Sequence, residues 1–197
     1  MQTAICKRPY LLVVSRLTSR FELWLLDSGI GVSVKRFPAG TRTAVDAARA
    51  VGCDVGQIVK SLVFVAAGRP VVALVSGANR LDERRLGAAA GDPVEKAGAD
   101  EARSATGYSI GGVPPFGHAT EVPVFMDRDL LQHSVVWAAA GRPDSVFEIE
   151  PERLRELSQA TIADLKVVPP HPDLDPTKSS TSRGPQDKAG PPHEVGR

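Results

Sequence analysis

Cysteine and histidine are nearly missing. The two cysteines, Cys6 and Cys53, share no paired spacing, so they support neither a disulfide framework nor a tetrahedral zinc site. Of the four histidines, His171 and His193 fall in a proline-rich C-terminal stretch, which leaves His118 and His133. A hydrolase built on bound zinc is disfavoured, and no metal or other cofactor is expected. An excess of one charge is missing as well. Lys and Arg number 24 against 23 Asp and Glu, a formal net charge of +1, so no global basic field holds nucleic acid and any such contact is local. No apolar run approaches the roughly 20 residues of a spanning helix. Tyr10–Val14 after Lys7-Arg8 is too short for a signal peptide, and Arg16 and Arg20 follow without a small-residue cleavage site. A cytoplasmic location is expected. Familiar catalytic signatures are absent too: no Gly-x-Ser-x-Gly, no His-Glu-x-x-His, no P-loop, no Cys/His pair at useful spacing.

What is present suits an α+β domain. The 197 residues, 42% hydrophobic and 24% charged, fit one globular domain with length to spare. The chain is organised around Gly56–Gly77. Two apolar, β-branched runs, Ile58–Val65 and Val71–Val75, flank the break Ala66-Ala67-Gly68-Arg69-Pro70, which predicts a β-hairpin inside a sheet. Ser19 is expected to cap a helix over Arg20–Leu26, and Val32–Phe37 alternates like a strand. Thr43 caps a helix over Ala44–Val51 that ends at Gly52, and Asp82 caps one running to Ala90 before Gly91. Asp100 is expected to cap a helix through Ala105, Asp127 a short one to Leu131, and Pro151 opens a last helix. Val94–Ala97, Val122–Met126, Ser134–Ala139 and Ser145–Ile149 are predicted strands. The pattern as a whole predicts a mixed, largely antiparallel sheet surrounded by helices. Residues 1–18 are an extension of ambiguous structure. From Pro169 the composition turns to Pro, Ser, Thr, Gly and charge, with Leu174 and Val195 almost its only apolar residues. Residues 169–197 cannot bury enough surface to offset ordering entropy and are expected to be a disordered tail. The domain therefore spans 19–168.

Chemistry concentrates at three places. Lys60 is the one charge in the first run, between Ile58-Val59 and Leu62-Val63-Phe64. Burying an ammonium is costly unless it is paired or meets an anion. The competing reading is an edge-strand lysine with its head in water. A tight hairpin sets Ser76-Gly77 near the same end as Lys60. Tyr108–His118 holds three glycines and two prolines in eleven residues, which excludes helix and central strand. Gly111-Gly112 can take unusual angles there, while Pro114-Pro115 is stiff. Such a loop exposes backbone groups that cradle a small ligand or position a water, and a lysine beside it suits a phosphate or carboxylate. As structural alternatives, the loop is a rigid connection, Ser76-Gly77 ends a strand and His118 sits on the surface. Arg80, Arg84 and Arg85 form a solvated helix face, and Asp127 is a helix cap.

Three stretches taken in order, Gly56–Phe64, Val75–Asp82 and Thr106–Gly117, resemble the YbaK/ProX family of aminoacyl-tRNA deacylases, related to the editing domain inserted in bacterial prolyl-tRNA synthetase. The resemblance covers about residues 19–168. It implies a mixed sheet surrounded by helices, acting without a metal. The implied function is a trans-editing hydrolase that clears a small, wrongly attached amino acid from a tRNA for proline or a similar acceptor. Its partners would be the acceptor end of aminoacyl-tRNA and an aminoacyl-tRNA synthetase. By the resemblance, Lys60, Gly112 and Pro115 would carry catalysis: Lys60 would hold the 3′-terminal part of the substrate, and the Gly112–Pro115 loop would fix the ester through backbone contacts. Ser76, Gly77, Gly111, Val113 and His118 would bind substrate. Such enzymes use no dedicated protein nucleophile; water, or the substrate's own thiol in cysteine-specific members, attacks with help from substrate hydroxyls. Pro114 departs from the family, where several members carry a small polar residue. The first 18 residues and the tail have no counterpart. The rival reading is a module that binds aminoacyl-tRNA or a synthetase without hydrolysis. Alanine, serine, threonine and cysteine all stay open as the amino acid removed.

Overall fold

Residues 19–37 and 43–168 are described in the computed structural model; the expectations for residues 1–18 and 169–197 lie outside them. Local capping chemistry sets most helix boundaries. The Ser19 hydroxyl accepts from the Glu22 N–H while the Glu22 carboxylate accepts from the Ser19 N–H, which opens α1 (Arg20–Ser28). Thr43 and Asp46 make the same reciprocal pair for α2 (Ala44–Val51). Asp82 caps α3 (Glu83–Ala90), and Gly91 ends it in the left-handed conformation. The helix expected after Asp100 starts earlier. Gly98 is the cap of α4 (Ala99–Thr106), because Glu101 reaches back to the Gly98 N–H at 2.7 Å. Asp100 then lies in the first turn, where its charge favours the helix dipole. Pro151 is the first residue of α5 (Pro151–Ser158).

Among the described residues, eight strands form two sheets. β1 (Val34–Arg36), β7 (Ser145–Ile149) and β6 (Val136–Ala139) make a small antiparallel sheet in that order. The larger sheet runs β4-β2-β3-β5-β8, from β2 (Val59–Ala66), β3 (Arg69–Ser76), β4 (Val94–Lys96), β5 (Val124–Asp127) and β8 (Thr161–Ala163). β2 is antiparallel to β3 and β4, whereas β3–β5 and β5–β8 are parallel. The α+β class stands, with two sheets where one was expected. The three residues of β8 are too few to show a period in sequence.

The central hairpin is tighter than its sequence break suggests. β2 and β3 pair from Val59 with Ser76 to Ala66 with Arg69. Only Ala67 and Gly68 remain as the turn, at φ 47° and 75°. This mirror-image turn matches strand twist, and it draws Ala66, Arg69 and Pro70 into the ladder.

Both faces of the hairpin are buried. Val59, Val63, Val72 and Leu74 pack with Phe21, Val113 and Phe147 on one side. Phe64, Val71, Ala73 and Val75 pack with Leu86 and Leu165 on the other. Each buried aliphatic side chain contributes about 1.5–3 kcal/mol of transfer free energy. One edge is unevenly covered. β4 pairs only with Phe64–Ala66, and the first half of β2 approaches β6 instead through a single bridge, Ile58 to Trp137. Among the described residues, no helix is long and apolar enough to cross a membrane.

Candidate active site

Lys60 projects from the unevenly covered half of β2. It sits opposite Val75 in the ladder, and its ammonium is half-buried. Nζ donates to the Gly77 carbonyl at 3.4 Å and to the Asn79 carbonyl. Burial pushes the ammonium below the usual lysine value, and the Asp127 carboxylate pushes back in part. Lys60 is thus neither a free surface lysine nor one neutralised by a direct carboxylate partner. Carbonyls hold it, and they do not cancel its charge.

The loop carrying those carbonyls is fastened by acids. The Asn79 side-chain amide donates to Asp127 at 2.7 Å and to Asp129 at 2.9 Å. Asp127 is 1% exposed; it also accepts from the Ser76 N–H at 3.4 Å and, as the helix cap expected, from the Asp129 N–H at 3.3 Å. Lys166 donates to Asp129 at 2.7 Å. Lys166 first and Asn79 second hold the Asp129 carboxyl below the usual range. Sequence reading assigned Asp127 its cap but missed this network, because its members are about 50 and 37 residues apart and no local spacing joins them.

A cavity of about 270 Å³ opens beside Lys60, with Ser61, Gly111, Val113, Trp137 and Ala47 in its wall. Few ligands fit, since pockets for drug-sized molecules run about 300–1,000 Å³. Gly111 takes φ 86°, a conformation glycine adopts without strain. Gly112 lies where a Cβ would come within 2.9 Å of the Arg142 backbone, and its N–H donates to the Ser109 carbonyl at 2.9 Å. That glycine acts through close approach, and its N–H is already engaged. The wall holds no carboxylate, imidazole or thiol among the described residues.

The sequence of this fold is recognised across residues 38–157 by the aminoacyl-tRNA editing domain family. The chain belongs to that family. Relatives of the editing domain include the uncharacterized YwhH of Bacillus subtilis, 32% identical over 64% of this chain and 80% of its own length. A second is EbsC of Enterococcus faecalis, whose name proposes a Cys-tRNA(Pro)/Cys-tRNA(Cys) deacylase, 30% identical over 62% of this chain and 76% of its own length. A crystal structure described as a proposed trans-editing enzyme for prolyl tRNA synthetase superposes with a TM-score of 0.72. It shares 47% identity and covers 76% of this chain and 96% of its own. The resemblance noted from the three sequence stretches is a family relationship.

The editing domain gathers only part of the residues expected from sequence. Lys60, Gly111 and Val113 meet at the small cavity, and Gly77 reaches Lys60 through its carbonyl. Ser76 pairs with Val59, one register step from Lys60, so strand alternation turns it to the opposite face. Its hydroxyl donates to the Gly56 carbonyl at 2.8 Å. Pro115 and His118 lie on a second cavity, about 540 Å³, with Phe116, Glu121 and Gln159. The His118 ring hydrogen-bonds the Pro114 carbonyl at 2.8 Å, and burial lowers its pKa. The loop therefore serves two cavities, its first half beside Lys60 and its second half away from it.

Sequence reading missed the α2 wall, Ala44 and Ala47, and the β6 wall, Trp137 and Ala139. Trp137 belongs to a buried apolar cluster as well. The small residues of α2 were the available signal, since small side chains on a buried helix face leave room. Among the described residues, no group of three or more His, Cys, Asp or Glu side chains comes close enough to hold a metal.

Proposed function

We propose that this protein is a freestanding trans-editing deacylase that hydrolyses the ester of a small, wrongly attached amino acid on tRNA, with a tRNA for proline or a similar acceptor as substrate. The observation that carries this is Lys60, its ammonium held by two loop carbonyls with no direct carboxylate partner, in the wall of a small, mostly apolar cavity. Family membership supports it. The ammonium binds a phosphate or hydroxyl of the terminal adenosine, and the aminoacyl group enters the cavity. Water adds to the ester carbonyl carbon. The bond from that carbon to the ribose oxygen breaks, the ribose oxygen takes a proton, and the free amino acid leaves. An aminoacyl ester is already activated, so positioning supplies much of the acceleration. The cavity rejects side chains too large for it, with Gly111 and Val113 in its wall. Gly112 keeps the loop close to Arg142, and Pro115 stiffens the following residues. The acceptor end needs only a local contact, in keeping with the near-neutral net charge.

The absence of any carboxylate, imidazole or thiol from the described cavity wall favours a second reading, a module that binds aminoacyl-tRNA or a synthetase without turnover. One experiment separates them: deacylation of Ala-, Ser-, Thr-, Cys- and Pro-tRNA by the wild type and by Lys60→Ala. Loss of one or two charges with the wild type, abolished in the variant, is expected. Full activity in Lys60→Ala overturns the role of the lysine, and no turnover of any ester leaves the binding module.

A further inference from the structure

Ser61 follows Lys60 on β2 and lies in the wall of the same cavity. Its Oγ is buried, and it is the one buried side-chain polar atom among the described residues that has no hydrogen-bond partner. Buried polar groups are nearly always paired, and an exception calls for an explanation. The other hydroxyl and ammonium groups of the wall are engaged. Thr43 donates to the Asp46 carboxylate at 2.7 Å and accepts from the Asp46 N–H at 3.1 Å. Lys60 donates to two carbonyls. Most of the remaining wall is aliphatic, with Ala44, Ala47, Ile58, Val59 and Val113. Strand alternation puts Ser61 on the face of Val59 and Val63, both buried in the main core. A serine hydroxyl moves among three staggered positions about Cα–Cβ, so it reaches a group seated in the cavity that its own residue lines.

We propose that the Ser61 hydroxyl is a specificity-determining group of this cavity, hydrogen-bonding a hydroxyl on the side chain of the bound aminoacyl group. It therefore favours a seryl or threonyl ester over an alanyl one. The inference rests on the deacylase reading for the identity of the occupant. The physical basis is asymmetric. An apolar pocket hardly distinguishes serine from alanine, whereas a site with a buried hydroxyl awaiting a partner penalises the substrate that lacks one.

The test compares kcat/KM for Ser-tRNA and Ala-tRNA in the wild type, Ser61→Ala and Ser61→Thr. The wild type is expected to prefer the seryl ester, and Ser61→Ala to lower the seryl-to-alanyl ratio about 10-fold or more. Ser61→Thr keeps a hydroxyl on the same carbon and holds the ratio above that of Ser61→Ala. The thermal midpoint of Ser61→Ala matches or exceeds the wild type, since an unpartnered hydroxyl leaves the interior. An unchanged ratio, a wild type that prefers alanine, or a clearly lower midpoint in Ser61→Ala overturns the proposal. Failure of the deacylase reading shows separately, as a wild type that turns over no ester. In that case the readout is the Kd of seryl and alanyl adenosines joined through a 3′-amide in place of the ester. Weaker seryl binding in Ser61→Ala supports the Ser61 contact, and equal binding overturns it.

Discussion

The two halves of β2 share one strand and one hairpin partner, yet they do different things. From Phe64 to Ala66 the strand is sealed by β3 on one edge and β4 on the other, and Phe64 and Ala66 are 3% exposed. From Val59 to Leu62 the β4 ladder is gone, and the space it would fill is the cavity beside Lys60 and Ser61. The sealed half carries stability. The open half carries a charge held by two carbonyls and an unpaired hydroxyl. A sheet edge left uncovered over four residues is enough to make a pocket, provided another element, here β6 with Trp137, closes the far side.

Substitutions can break this contrast. Phe64→Ala in the sealed half is expected to cost about 3–5 kcal/mol, measured by denaturant unfolding; a loss under about 1 kcal/mol would show that the sealed half is not the stabilising one. Lys60→Ala in the open half is expected to lower deacylation about 100-fold, equivalent to about 2.7 kcal/mol of barrier, with folding stability changed by less than about 1 kcal/mol. Equal damage to activity and stability would erase the division of labour. Gly112→Ala places a methyl 2.9 Å from the Arg142 backbone. It is expected to cost about 1–3 kcal/mol through displacement of the loop, with a raised KM as the companion reading. The smallest effect is on pH dependence. Burial lowers the His118 pKa from 6.5, so the unfolded chain takes up a proton that the folded protein resists. Stability is full above 6.5 and falls as pH drops from 6.5 toward the lowered folded value. In His118→Gln that part of the acid-side loss disappears, which paired unfolding curves between about pH 7.5 and 5 would register. A variant with the same acid slope as the wild type would rule the histidine out as its source.

Much of the fold was legible because its signals are local. Ser19, Thr43, Asp82 and Pro151 announce their helices by capping chemistry that acts within three residues, and two apolar, β-branched runs around a short glycine-containing break announce the hairpin. Gly98 was overlooked for Asp100 because the cap depends on Glu101 reaching backwards rather than on the cap residue's own side chain. Lys60 stood out as a charge in an apolar run. The rest of the site was hidden by distance along the chain. Ser61 reads in sequence as an ordinary strand serine, and only the wall built by α2, β6 and the Gly111–Val113 loop shows its hydroxyl to be without a partner. The split of the Tyr108–His118 loop between two cavities was equally hidden, since it depends on the distant segments packed against each half.

The two-residue turn at Ala67-Gly68 also has a bearing on how the molecule comes into being. A hairpin closed by so short a turn needs little loop entropy and can form early, whereas the parallel pairings of β3 with β5 and β5 with β8 join distant segments and come late. Lys60 and Ser61 thus sit on a strand whose hairpin pairing is local, while part of their surroundings, β6 and the Gly111–Val113 loop, comes from later in the chain. The cavity draws on residues from Thr43 to Val146, so during synthesis it is complete only after β7 has left the ribosome. A nascent chain halted before that point would display the lysine on a naked strand edge, with no enclosure to select what meets it.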